Sequence, residues 1–186
     1  MNALFRSIAL ATVLVFFGCS PHPRTALVTQ NLLTQYRLGP GDQVRLVVFD
    51  QPQLSDVYNV DASGSISVPL VGSVKVGHRT TQQVERIIVD NLRSRDILKE
   101  PRLSMEVVAY RPFYILGEVE NPGQYPFVAG MVVEKAVAAA GGYTIYASKK
   151  RMRITREERD GPVTFRASML EPVFPGDSIY VGERVF

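Results

Sequence analysis

The chain has 186 residues, with 21 Lys plus Arg against 18 Asp plus Glu and a formal net charge of +3. That near balance leaves no electrostatic footprint for a polyanion such as nucleic acid, and 46% hydrophobic with 21% charged residues is the composition of an ordinary globular protein. One cysteine and two histidines exclude a disulfide framework and a sequence-encoded zinc site.

The chain opens MNALFRSIALATVLVFFGCSP. Arg6 is the only charge in this stretch, and residues 8–17 are apolar apart from Thr12. This is the layout of a secretory signal peptide, and it is too short for a membrane-spanning helix, which needs roughly 20 apolar residues. Cys19 has no intramolecular partner, so it is a free thiol, an intermolecular bridge or a modified residue. Its setting in FFGC resembles the lipobox of bacterial lipoproteins, with Gly18 at the small position and Phe16 where Leu is usual. The resemblance implies cleavage before Cys19 and acylation of it. Two or three acyl chains anchor stably, at about 0.8 kcal/mol per buried methylene. Ser20 after the cysteine matches the pattern that sorts to the outer membrane. Residues 1–18 are then a lipoprotein-type signal peptide, and 19–35, with Pro21 and Pro23, a flexible tether.

In residues 36–110, Gly39-Pro40-Gly41-Asp42 puts a φ-fixed proline before a glycine free to take positive φ, as a type II turn requires. Val44, Leu46 and Val48 then alternate as a strand. Asp61 to Gly64 is a hairpin turn, with Ile66, Val68 and Leu70 in the returning strand until Gly72 and Gly77 break it. Thr80 and Gln83 have capping-box spacing. Val84, Ile87, Ile88 and Leu92 make the apolar face of a helix that stops before Pro101. Leu103, Met105 and Val107 alternate again, so this half reads β-β-α-β.

In residues 111–186, Phe113 to Val119 is a strand, Asn121-Pro122-Gly123 a tight turn, and Gln124 to Phe127 the return. Gly117, Pro122 and Gly123 are read as turn architecture rather than ligand contacts. Val133, Ala136, Val137 and Ala140 form a helix face stopped by Gly141-Gly142, and the alanines let that helix lie close to a sheet. Residues 151–155 and 163–167 are strands around Asp160-Gly161-Pro162. KKRMRITREER (149–159) is expected to be an exposed strand and turn, not a nucleic-acid patch. A last strand follows Pro175-Gly176-Asp177, giving β-β-α-β-β-β. Both halves are α+β. Units this small bury only about 60% of their surface, so oligomerisation is expected.

Pro175-Gly176-Asp177 echoes Pro40-Gly41-Asp42, each ahead of a strand. The echo is either chance or a pair of related structural turns. In both cases the aspartate is expected to bond turn N–H groups and not a metal, for lack of acidic residues at EF-hand spacing.

The chemistry-bearing motifs are missing. There is no HExxH, CxxC or Walker loop. His22 lies in the tether and His78 in a loop, too poorly placed for a triad. Glu118 and Glu120 share one strand face, a solvated edge and not the cleft pair that glycoside hydrolysis needs. Tyr143 and Tyr146 are expected to be an exposed pair. No catalysis, metal or cofactor is expected.

YRLGPGDQVRLVVF, DASGSISVPLVGSVKVGHRT, the amphipathic helix and EPRLSMEVV resemble the polysaccharide biosynthesis/export domain of outer-membrane polysaccharide export proteins. YILGEVENPGQYPFVAGMVVEKAVAAAGGYT resembles the adjoining soluble-ligand-binding β-grasp (SLBB) domain, through Leu116-Gly117-Glu118-Val119, Asn121-Pro122-Gly123, Tyr125 and Ala140-Gly141-Gly142. The resemblance implies a lipid-anchored component of a capsule or exopolysaccharide export machine at the periplasmic face of the outer membrane. It would form a ring of identical copies through which glycan passes, docked on an inner-membrane polysaccharide co-polymerase. The alternative is a periplasmic glycan-binding β-grasp lipoprotein with a regulatory or adaptor role. Longer members carry several β-grasp repeats and a C-terminal pore-lining amphipathic helix. This sequence shows one β-grasp unit and ends at VGERVF without such a helix or a run of transmembrane strands. The expectation is therefore a collar held to the membrane by Cys19.

Overall fold

The computed structural model describes residues 36–184. The signal-peptide, Cys19 and tether readings lie outside the described residues.

Strand β1 (Gln43–Val48) buries every second residue, as its alternation requires. It is the centre of a three-stranded antiparallel sheet, between β2 (Asp56–Asn59) and β5 (Leu103–Ala109). Helix α1 (Thr81–Ser94) packs Val84, Ile88 and Leu92 into the same core as Val44, Leu46 and Val48. Its start is fixed by a reciprocal cap: Gln83 N–H donates to Thr80 Oγ1 at 3.3 Å, and Thr80 N–H donates to Gln83 Oε1 at 3.1 Å.

The expected hairpin across Asp61–Gly64 is corrected. The turn exists: Gly64 N–H donates to the Asp61 carbonyl at 2.9 Å. Its flanking strands part company, however. β2 pairs with β1, whereas β3 (Ser65–Val68) pairs with β4 (Gly72–Lys75) in a separate two-stranded sheet. Two backbone bonds impose this: Val60 N–H donates to the Asp42 carbonyl at 2.9 Å, and Val76 N–H to the Gly64 carbonyl at 2.9 Å. The first half therefore has two strands more than expected. Leu70 is not in a strand either. It has a φ of 64° and is 65% exposed, at the turn from β3 to β4, while Val71 takes the buried place.

After Tyr110-Arg111-Pro112, a five-stranded mixed sheet runs in the order β7-β6-β10-β8-β9. Its strands are β6 (Phe113–Gly117), β7 (Gly123–Tyr125), β8 (Ala147–Glu158), β9 (Gly161–Ala167) and β10 (Ser178–Glu183). β10 lies at the centre, parallel to β6 and antiparallel to β8. Helix α2 (Val133–Ala139) belongs to the crossover connection between β6 and β10 that a parallel pair needs. Val133, Ala136, Val137 and the C-cap Ala140 are buried with Phe113, Ile115, Ile154 and Ile179. The KKRMRITREER segment is the exposed strand and turn expected, with most of its residues exposed. Most of it belongs to β8, which is paired on both sides and buries Met152 and Ile154. Among the described residues strands far outnumber the two α-helices, and each core contains both, so both halves are α+β.

Candidate functional site

The two Pro-Gly-Asp turns are built alike. Gly41 and Gly176 have φ of 90° and 86°, the left-handed third position of a type II turn. Asp42 N–H donates to the Gly39 carbonyl at 3.2 Å, and Asp177 N–H to the Phe174 carbonyl at 3.1 Å. Each aspartate then folds back on its turn: Asp42 Oδ2 accepts from Gly39 N–H and Asp177 Oδ2 from Phe174 N–H, both at 2.8 Å. Both aspartates are wholly buried, so each carboxylate needs a cation. Arg156 grips Asp177 with a fork, Nε to Oδ1 at 2.9 Å and Nη2 to Oδ2 at 2.8 Å. Arg111 grips Asp42 through its backbone N–H to Oδ1 at 2.8 Å and Nη1 to Oδ2 at 3.3 Å.

Arg111 also joins the two turns. A methyl added at Gly39 would lie 2.0 Å from Arg111 Nη1, and one at Gly176 would lie 2.5 Å from Arg111 Nε. The guanidinium stem thus runs between both glycines, in space that only hydrogen leaves open. Tyr36 completes the cluster by donating its hydroxyl to Asp42 Oδ2 at 2.7 Å and accepting from Arg111 Nη1 at 3.2 Å. Burial pushes the Tyr36 phenol far above its ordinary range; Arg111 opposes that shift and Asp42 adds to it. Tyr36 therefore stays a proton donor at physiological pH. Edge-on contacts Tyr36–Tyr110 at 5.0 Å and Tyr110–Phe127 at 5.4 Å carry the packing from one half into the other. Among the described residues, no buried side-chain nitrogen or oxygen lacks a partner.

Over this junction lies an open cleft of about 1070 Å³. Six arginines line it (Arg37, Arg79, Arg86, Arg111, Arg156 and Arg159) with Glu157 and Glu158. Sequence reasoning missed this cleft, because its arginines are spread from position 37 to 159 and form no run. Its one legible trace is the repeated Pro-Gly-Asp, since Gly39, Pro40 and Pro175 form part of the lining.

The other sequence-selected residues sit elsewhere. Gly117 has a φ of 87°, and a methyl there would meet the Val181 carbonyl oxygen at 2.1 Å. Gly123 differs from the turn glycine expected. It is the first residue of β7, and a methyl there would meet only the Tyr125 ring at 4.0 Å. Pro122 lies just before β7. Gly141 and Gly142 have φ of 87° and 99°. They meet the Asn121-Pro122 segment: Asn121 N–H donates to the Ala140 carbonyl at 2.9 Å and Glu120 N–H to the Gly142 carbonyl at 3.1 Å. Glu118 and Glu120 do not share a strand face. They flank Val119 beyond the end of β6, and Glu118 accepts from the Thr144 hydroxyl. Tyr143 is not exposed with Tyr146, because it is half-buried with its hydroxyl 3.4 Å from Met152 Sδ. Among the described residues, no three His, Cys, Asp or Glu gather as a metal site, and no helix is long and apolar enough to cross a membrane.

Residues 30–108 match the family model for polysaccharide biosynthesis/export proteins, and residues 112–166 match the SLBB domain. The chain therefore carries a polysaccharide biosynthesis/export domain followed by an SLBB domain. The two matches meet at positions 109–111, where Arg111 sits between the turns. The chain is similar to the exopolysaccharide production protein ExoF of Rhizobium meliloti, 37% identical over 119 residues, which is 58% of this chain and 28% of that protein. It is also similar to the EPS I polysaccharide export outer membrane protein EpsA of Ralstonia solanacearum, 29% identical over 199 residues, 91% of this chain and 52% of that one. EpsA of Ralstonia nicotianae is 28% identical over 80% of this chain and 46% of its own length. The chain thus spans about half the EpsA proteins, and less of ExoF.

Proposed function

We propose that this protein is a component of a polysaccharide export assembly at the outer membrane, anchored on its periplasmic face by lipid on Cys19. The observation that carries this reading is the succession of an export domain and an SLBB domain in one chain, with similarity over 91% of it to a protein named for polysaccharide export at the outer membrane. Copies of the chain form a closed ring, glycan passes through it, and an inner-membrane co-polymerase docks beneath. The domain boundary falls at the Tyr110-Arg111-Pro112 link.

Two features of the structure support the ring. A closing ring needs a protomer of fixed shape, and the Asp42–Arg111 cluster ties both halves at their shortest link. Tyr114, Leu116 and Tyr180 are 42%, 48% and 43% exposed on neighbouring strands of one sheet face, apolar surface suited to a second copy. The protein purified in detergent should be a closed ring by native mass spectrometry and electron microscopy. A strict monomer at high concentration overturns the ring and favours the glycan-binding adaptor. Cys19→Ala should release the protein into the soluble periplasm, and deletion of the gene should abolish secreted glycan.

A further inference from the structure

We propose that the arginine-lined cleft at the junction is a binding site for an acidic oligosaccharide, recognised through sugar carboxylates. This rests on the export reading for its ligand class. Two of the six arginines are already neutralised: Arg111 by Asp42 and Arg156 by Asp177. The other four have no carboxylate partner among the described residues. Arg37 donates to the His78 carbonyl at 2.9 Å and Arg79 to the Lys75 carbonyl, and neither bond cancels charge. Arg86 and Arg159 make no side-chain hydrogen bond or ion pair among the described residues. Against these four stand Glu157 and Glu158, leaving an excess of positive charge in a concave site.

A guanidinium matches a carboxylate with two parallel N–H donors, and it is less strongly hydrated than an ammonium. Among the cleft's charged residues every cation is an arginine and none is a lysine. The lining also includes apolar Pro40 and Ile87, on which the C–H face of a sugar ring can rest, and Phe174, one face of whose ring is taken by the Arg156 guanidinium at 4.2 Å. The cleft's volume of about 1070 Å³ admits several linked sugars, and a junction between two units is a favoured place for such a site. The floor is rigid, because the paired Asp42–Arg111 and Asp177–Arg156 groups hold both turns beneath it. The near balance of charge over the whole chain leaves no footprint for a polyanion, yet the cleft carries a local excess of positive charge. That excess is assembled by folding and is absent from any local stretch.

The test is calorimetric titration of the full chain in detergent with tetragalacturonate, and with a neutral galacto-oligosaccharide of equal length. The acidic oligomer should bind, and the neutral one should not saturate. Raising salt from about 50 to 300 mM should weaken the acidic binding severalfold. The double variant Arg86→Gln/Arg159→Gln breaks no described contact, so it should melt like the wild type while its affinity falls about tenfold or more. Equal binding of neutral and acidic sugars, or an unchanged affinity in the double variant, overturns the proposal. A tetraglutamate peptide that binds as tightly as tetragalacturonate also overturns it and assigns the cleft to an acidic protein partner. Loss of secretion on gene deletion without any acidic-sugar binding sinks the cleft alone. Binding with secretion intact supports the cleft and sinks the export reading.

Discussion

Asp42→Asn should destabilise the protein by about 2–4 kcal/mol. Asp42 is wholly buried, and its two oxygens serve four donors: Tyr36 Oη at 2.7 Å, Gly39 N and Arg111 N at 2.8 Å, and Arg111 Nη1 at 3.3 Å. Asparagine keeps one acceptor and turns an NH2 group toward N–H donors on the other side. Breaking a buried pair by removing one partner costs about 3–5 kcal/mol, and leaving one buried donor unpaired about 1–3 kcal/mol. The Arg111 side chain keeps 22% of its surface in water, so part of its charge is resolvated and the range moves down. At roughly 2–4 °C per kcal/mol for a chain of this size, the melting temperature falls by about 5–15 °C. Thermal and urea denaturation followed by circular dichroism measure this directly. The control is Glu106→Gln, which breaks the Arg45–Glu106 pair, whose side chains are 50% and 62% exposed. That variant should stay within about 0.5 kcal/mol of wild type. An Asp42→Asn protein as stable as the Glu106→Gln protein would refute the claim that this carboxylate holds the junction.

Other substitutions probe single links of the same chain of reasoning. Tyr36→Phe loses the bond to Asp42 and should cost about 1 kcal/mol at pH 7. Burial raises the folded-state pKa of Tyr36, so its contribution is complete below the unfolded value near 10 and is lost as pH rises above it. Urea midpoints at pH 8 and 11 should therefore fall more steeply for wild type than for Tyr36→Phe; equal slopes count against the buried phenol. Tyr58, Tyr110 and Tyr143, all shifted upward mainly by burial, leave a residual slope in both proteins. Gly117→Ala should cost about 3 kcal/mol or more or prevent soluble expression, because the methyl meets the Val181 carbonyl at a left-handed φ. Gly123→Ala, with open space at its site, should change urea stability by less than about 1 kcal/mol. Thr80→Ala removes the α1 cap and should cost about 1 kcal/mol in the same assay.

The elements were legible where their cause is local. Alternation located β1 and β5, helical spacing located both helices, and the Thr80–Gln83 pair marked the start of α1 to the residue. Errors arose where pairing is decided at a distance. Asp61 and Gly64 encode a reversal, because Asp61 Oδ1 accepts from Ser63 N–H at 2.8 Å and Ser65 N–H at 3.0 Å. Nothing in that turn says that the strands leaving it will choose different partners. β8 was underestimated for a related reason. Most of its charged residues are exposed while Ala147, Met152 and Ile154 mark the buried face, Arg156 is turned onto the buried Asp177, and its status as an inner strand depends on β9 and β10.

The junction divides the same way. A type II turn with an aspartate closing back on it is a property of four residues, so both Pro-Gly-Asp segments could be read as turns from sequence. What each aspartate holds could not. Arg111 is 69 residues from Asp42, and Arg156 is 21 residues from Asp177. Once those arginines are committed to buried carboxylates, they cease to count toward the charge of the cleft, and the arginines with no carboxylate partner among the described residues decide its ligand. Variants at Asp42 and Asp177 therefore test the shape of the protomer, through stability and ring closure. Variants at Arg86 and Arg159 test recognition, and they should leave that shape unchanged. A double variant at Arg86 and Arg159 that lost ring assembly as well as sugar binding would mean that the cleft is a seat for the neighbouring copy, and that its charge serves assembly rather than glycan.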